Sequence, residues 1–331
     1  MLPVSCWAEE TEYVSLSSAE TCQQLASGSA TYPHYDTESG VAKLLRKGMK
    51  NKKNVIRFSY TLKSSNINSA TKKFCKRVLE KAVAHTGASN EGEYLRWNYS
   101  KSGWSASGTG TNNTFKINFD FTFEYYLTAE QESAVTAKVN SIIKSMNLDG
   151  KDDYTVARDV YDYLTNNISY DYSALDTTDN PLPFTAYGAA INNKAVCQGY
   201  SLLMYRILNK CGIDCRMVAA NSTNKSEKYG HAWNIIKVGG KYYYADSTWD
   251  SRYNTDYKYF LKGKKDWWDH GDYSKLYDYI KNHSLSDTEY GEREPASHKP
   301  TPTELTELTG GSKRIVVKWA TVEENVLGYQ V

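Results

Sequence analysis

"AVCQGYSLLM" (residues 195–204) puts a cysteine at the mouth of an apolar stretch, with Gln198 and Gly199 directly behind it. Cysteine is among the most buried residue types, and an isolated one is commonly just a small hydrophobe. The continuation "YRILNKCG" keeps helical apolar spacing as far as a stop at Gly212, so Cys197 opens a helix. There the unpaired N–H groups and the macrodipole favour the thiolate, which is the nucleophilic form. Whether Cys197 is structural or reactive depends on what the rest of the chain brings to it.

Downstream, "HAWNIIKV" and "KYYYADST" flank Gly239-Gly240, the signal of a hairpin with a two-residue turn. That turn pairs Val238 with Lys241 and so sets Trp233 opposite Asp246. Side chains alternate along a strand, which puts His231 on the face that carries Trp233. Asp246 is then diagonal to His231, about 7–8 Å away between Cα positions and within reach of a hydrogen bond. A three-residue turn would send the two to opposite faces. Such an Asp fixes the imidazole tautomer and stabilises the imidazolium, and the His holds the Cys as thiolate. Gly199 leaves room for a substrate at the first turn of the helix, and the Cys197 N–H is a donor for an oxyanion. Taken singly, a His beside a Trp is commonly a satisfied core residue and "DSTWD" a turn. Their order and register together make a site.

The blocks "VCQGYSLLMYRILNKCGIDCRMV" and "GHAWNIIKVGGKYYYADSTWD", with "YDYLTNNISYDY" before and "KYFLKG" after, resemble the bacterial transglutaminase-like superfamily of papain-like fold. The resemblance covers about residues 129–285. It implies an α+β fold in which the helix bearing the Cys packs on an antiparallel sheet. It also implies Cys197 as nucleophile, His231 as general base and Asp246 as its orienting partner. No motif locates the family's oxyanion side chain; Tyr187 is a candidate, and Gln198, Gly199 and Trp233 are candidates to line the substrate. The chemistry implied is a thioester formed from an amide, without cofactor or metal. With water as acceptor the protein is a peptidase or amidase acting on a peptide or wall-associated amide. With a lysine amine it is a crosslinking transferase, and no acidic calcium loop of the animal enzymes is evident. A non-catalytic cell-surface binding or scaffold module is the alternative of a different class.

The composition frames this. The 331 residues fit two or three domains, and 40% hydrophobic with 24% charged residues is ordinary for a globular chain. A net charge of +2 gives no field that argues for a nucleic-acid or membrane partner, and no apolar run approaches the roughly 18 residues of a membrane helix. A basic run from Lys43 to Arg57 and an acidic one from Asp149 to Asp162 are expected to be solvated faces, with an anionic wall polymer as the minority option. The 28 Tyr suit sheet packing and recognition surfaces. The start "MLPVSCWAEE" resembles the end of a secretory signal, with Ala8 before the cleavage point, and a secreted or cell-surface location is expected. The six Cys (6, 22, 75, 197, 211 and 215) have no metal-ligand spacing. Cys211 and Cys215 either bridge or stand as separate thiols, and a Cys22–Cys75 pair stays open.

Along the chain, 1–8 is a signal remnant and 9–127 a small α+β domain. The latter has a lead-in of loops or short helix over 9–40, a strand at "NVIRFSYTL", a helix at "SATKKFCKRVLEKAVAHTG" and two aromatic strands, "EYLRWNYSKSGWSASG" and "TFKINFDFTFEYYL". The transglutaminase-like domain spans 128–288. It opens with a Thr128 N-cap followed by Glu three to four positions on, continues through a second helix at "KDDYTVARDVYDYLTNNISYD", and has "KYFLKG" as a strand after the hairpin. A Pro-rich linker covers 289–303. The segment 304–331 resembles the first third of a fibronectin type III module, so the chain looks truncated.

Overall fold

A computed structural model describes residues 9–16, 30–176, 180–220, 230–267, 270, 285–291, 305–311 and 314–319. The segment 1–8 with Cys6, and Cys22 with it, lie outside the described residues, as do most of 289–303 and the end of the chain. The architecture is mixed α+β.

The first part runs β1 (Glu9–Leu16), β2 (His34–Tyr35), α1 (Glu38–Lys50), β3 (Val55–Lys63), α2 (Ile67–Ala82), α3 (Glu93–Arg96), β4 (Tyr99–Thr111) and β5 (Thr114–Tyr125). The strands form one sheet in the order β1-β4-β5-β3-β2. Along β5 the burial alternates, so Ile117, Phe119, Phe121 and Phe123 face inward. They meet Phe58 of β3 and Phe74 of α2, with the Phe58 and Phe119 rings stacked at 5.0 Å. Two expectations are corrected. Residues 38–50, beyond the loops or short helix expected up to residue 40, are a full helix, because Thr37 caps it through the Gly40 N–H and Val41, Leu45 and Met49 make an apolar stripe. The start of "EYLRWNYS" is the short helix α3 and not strand, and its Tyr94 and Leu95 are buried together with Trp97 at its C-cap.

The second part adds α4 (Ala129–Ser145), α5 (Asp153–Asn167), β6 (Ser169–Tyr170), α6 (Ala186–Ala190), β7 (Lys194–Ala195), α7 (Cys197–Lys210), β8 (Cys215–Ala220), β9 (His231–Val238), β10 (Lys241–Ala245) and α8 (Ser247–Tyr253). Thr128 caps α4 in a capping box, closed by Gln131 and not by a Glu. The neighbouring Glu132 is used elsewhere. It ion-pairs with Arg206 of α7 at 2.5 Å and Lys52 at 3.2 Å, and accepts hydrogen bonds from Tyr94 at 2.8 Å and Asn98 at 3.0 Å. A second buried set, Glu93 with Arg216 and His85, joins α3 to β8. The first set holds the first part of the chain against the helix that begins at Cys197, and the second holds it against β8.

Helix α7 is buried along its whole length from Cys197 to Asn209, with α5, α6 and β9 packed around it. Its few polar side chains are met by partners, as Arg206 is by Glu132, and the rest are apolar enough for the centre of a fold. Strands β10-β9-β8 form an antiparallel sheet against it, and Val238 pairs with Lys241 as the two-residue turn requires. Both turn glycines have positive φ, 57° at Gly239 and 84° at Gly240. "KYFLKG" is not a strand; it is held mainly by turns and by one bridge, Tyr244 to Lys262. Cys211 caps α7 and Cys215 starts β8, and they are separate thiols. Two further strands, β11 (Leu305–Gly311) and β12 (Arg314–Trp319), pair antiparallel with each other.

Candidate active site

Cys197 is the first residue of α7, and the preceding Val196 supplies no side-chain cap. The first-turn N–H groups of the helix are therefore left without a capping side chain. Val196 is fixed from behind, since its N–H donates to the Pro183 carbonyl at 3.0 Å. His231 opens β9, and Ala245 ends the β10 ladder opposite Asn234, so Asp246 follows on the diagonal. The distance between His231 Nε2 and Asp246 Oδ2 is 2.6 Å. Cys197 also acts on the imidazole, and its side chain adds to the pull that favours the protonated ring. The three residues named from the sequence are thus brought together, all of them buried.

Asp246 does more than orient one histidine. Its Oδ1 accepts the N–H of Thr248 at 2.9 Å and of Trp249 at 3.2 Å, so it is also the N-cap of α8. The same Oδ2 that meets His231 stands 3.0 Å from His270 Nε2. His270 was not singled out from the sequence. It lies 24 residues beyond Asp246, outside any periodic pattern, in an aromatic box stacked on Trp267 at 3.8 Å and tilted against Trp249 at 4.0 Å. The run of Trp in "DWWDH" is the one signal that marked it. Trp249 also stacks on His231 at 5.0 Å, and Trp233 flanks that ring at 5.8 Å.

Electrostatics follow from this geometry. Burial opposes a charged imidazole, but the Asp246 carboxylate outweighs it and, with Cys197, pushes His231 up to about 10. Burial likewise opposes the Asp246 carboxylate, yet His231 first and His270 next hold it well below the usual carboxylate range. His231, Asp246 and His270 are, among the described residues, a set whose ligand atoms lie within 4.8 Å of one another and so fit a metal ion by residue type. Separations of 2.6 and 3.0 Å are those of direct hydrogen bonds, which leaves the oxygen shared between two ring donors.

The flanking candidates fare differently. Trp233 is a buried wall of the site. Gln198 turns away, its Nε2 donating to the Trp97 carbonyl at 3.4 Å. The room expected at Gly199 is taken up by the protein itself. A Cβ there would lie 2.6 Å from the Pro183 carbonyl oxygen and 2.9 Å from that of Thr185, so the glycine serves close packing of α7 against this loop. Tyr187 is half-buried against the main core on α6, and among the described residues no hydrogen bond or ring contact joins it to Cys197. Tyr170 of β6 is the tyrosine beside the cysteine. It packs on Val196, and Cys197 acts on its hydroxyl electrostatically.

Residues 140–247 match the family model of the Transglutaminase-like superfamily, a span that contains Cys197, His231 and Asp246. The mouse protein "Kyphoscoliosis peptidase" is 24% identical over 137 residues, covering 39% of this chain and 21% of that protein. Its human counterpart is 26% identical over 129 residues, covering 36% and 19%. The chain thus spans about a fifth of the length of these relatives. A solved structure described as a TGase is similar at 14% identity with a TM-score of 0.33, over 52% of this chain and 58% of that one.

Proposed function

We propose that the chain is a cysteine acyl-transfer enzyme that hydrolyses an amide bond of a peptide, protein or wall-associated substrate. The observation that carries this is His231, set between Cys197 at a helix N-terminus and the buried Asp246. With Nε2 committed to Asp246, Nδ1 is the ring nitrogen left for the thiol proton. The sulfur attacks the amide carbon, and the charge that develops on the carbonyl oxygen meets the uncapped first-turn N–H of α7. The C–N bond breaks, the imidazolium gives its proton to the leaving amine, and a thioester remains on Cys197. Water activated by His231 then releases the acid. The name of the kyphoscoliosis relatives supports the peptidase sense of this reading.

The test is the pH dependence of iodoacetamide labelling at each Cys, followed by mass spectrometry in wild type and His231→Ala. Cys197 labelled rapidly at pH 6, with the advantage lost in the variant, is the expected result. Labelling at the rate of an ordinary thiol of pKa about 8.5 in both proteins would remove the triad. An amine acceptor in place of water is recognised by a product that appears only when a primary amine is supplied.

A further inference from the structure

The last turn of α8 carries a cation with no carboxylate to answer it among the described residues. Arg252, in the last turn of α8, is half-buried. The seven other arginines with described side chains each have a carboxylate within 4.0 Å. Arg252 has none among the described residues; it is surrounded by tyrosines. Its guanidinium carbon lies 4.5 Å from the Tyr170 ring, 5.2 Å from Tyr172 and 5.4 Å from Tyr253, and its Nε donates to the Tyr172 hydroxyl at 3.3 Å. The acids of its own helix are turned inward. Asp250 is bound by Tyr161, Thr255 and the Tyr259 N–H, and Asp246 by its two histidines.

Tyr170 ties this group to the nucleophile. It pairs with Ala195, packs on Val196 and supports Arg252 on its ring, so the cation is one tyrosine away from Cys197. Tyr172 and Tyr253 are 56% and 53% exposed, two of the four large apolar or aromatic side chains most open to solvent among the described residues. Solvent-facing rings around an unanswered guanidinium are the composition of a recognition site.

We propose that Arg252, with Tyr170, Tyr172 and Tyr253, forms a carboxylate-binding subsite that selects an acidic residue close to the amide attacked by Cys197. The tyrosine rings surround the guanidinium and the Tyr172 hydroxyl accepts from Nε. What remains is the Nη edge, whose paired N–H groups fit a planar carboxylate. A single cation matches a single negative charge, and the exposed rings lie where the methylenes of a Glu or Asp side chain would rest. The assignment rests on Cys197 being the nucleophile, and the test separates the two.

The probes are iodoacetate and iodoacetamide, which deliver the same carbon to the thiol with and without a carboxylate, iodide leaving in each case. In the full chain, the iodoacetate-to-iodoacetamide rate ratio at Cys197 is expected to exceed that at Cys211 about tenfold. It should fall to the Cys211 value in Arg252→Gln and to an intermediate value in Arg252→Lys, which keeps the charge but loses the paired N–H groups and serves as the second variant if the glutamine one is poorly folded. A ratio at Cys197 no higher than at Cys211, or one equal in wild type and Arg252→Gln, overturns the subsite. A slow iodoacetamide rate at pH 6 would count against the nucleophile, while a ratio that still depends on Arg252 would uphold the subsite. Protection of Cys197 by a capped Glu peptide but not its Gln counterpart identifies a side-chain carboxylate as the ligand. Protection only by a Gln peptide with a free C-terminus identifies a chain-end carboxylate and overturns selection of an acidic residue.

Discussion

Replacing Asp246 by Asn strikes the site at its most connected side chain. The Asn carbonyl oxygen is held by the same two helix amides, Thr248 and Trp249, that now hold Oδ1 at 2.9 and 3.2 Å. Its NH2 group then faces both Nε2 atoms that now meet Oδ2. Both ring nitrogens must become acceptors, so the His231 proton moves to Nδ1, where the thiol proton should go. The charge disappears too. Burial lowers His231, and Asp246 with Cys197 raises it from 6.5 to about 10, a span worth about 5 kcal/mol at roughly 1.4 kcal/mol per pH unit. In Asp246→Asn burial is opposed by Cys197 alone, and His231 should titrate well below its wild-type value. Carbon-13 NMR of labelled histidine reads this, with His231→Gln to assign the resonance. Because the folded value is the higher one, the stabilisation is complete below about pH 6.5 and is lost as the pH rises through about 10. The stability advantage of wild type over Asp246→Asn, from urea denaturation, should therefore shrink across that window by up to about 5 kcal/mol. Turnover should drop by roughly 10³–10⁴, the size of a wrong-tautomer defect. A wild-type His231 titrating near 6.5, or a stability difference constant from pH 6.5 to 10, would refute the reasoning.

Three other perturbations have defined outcomes. His270→Phe keeps the slab between Trp249 and Trp267 but removes a donor to a carboxylate, and should cost about 1.5–3 kcal/mol in chemical denaturation; an unchanged midpoint would mean that His270 only fills space. Gly199→Ala sets a Cβ 2.6 Å from the Pro183 carbonyl oxygen and 2.8 Å from the Ala195 Cβ. It should lose roughly 1–3 kcal/mol by overpacking, whereas a variant as stable as wild type with altered substrate preference would restore Gly199 as a substrate contact. Arg206→Ala leaves Glu132 buried beside Lys52 without its closest partner and should cost about 3–5 kcal/mol, seen as a lower urea midpoint.

The sequence by itself determined the Cys197 helix and the register of the hairpin, for a local reason. The buried α7 carries apolar residues at helical spacing, Leu202, Leu203, Ile207 and Leu208 among them, and a two-residue Gly-Gly turn admits one pairing, which fixes the diagonal from His231 to Asp246. Helix α1 was harder to see because its apolar stripe is interleaved with lysines and Arg46 that face solvent or Glu91. Tertiary structure alone decided the surroundings of Cys197, His231 and Asp246. Gln198 and Gly199 sit next to Cys197 in sequence, but a helix turns successive residues by about 100°, and these two face Trp97 and the Pro183 loop. His270, distant in sequence, reaches Asp246 because a box of tryptophans folds over the end of the hairpin. Which side chains share a carboxylate depends on where separate segments cross, and spacing along one chain does not encode that crossing.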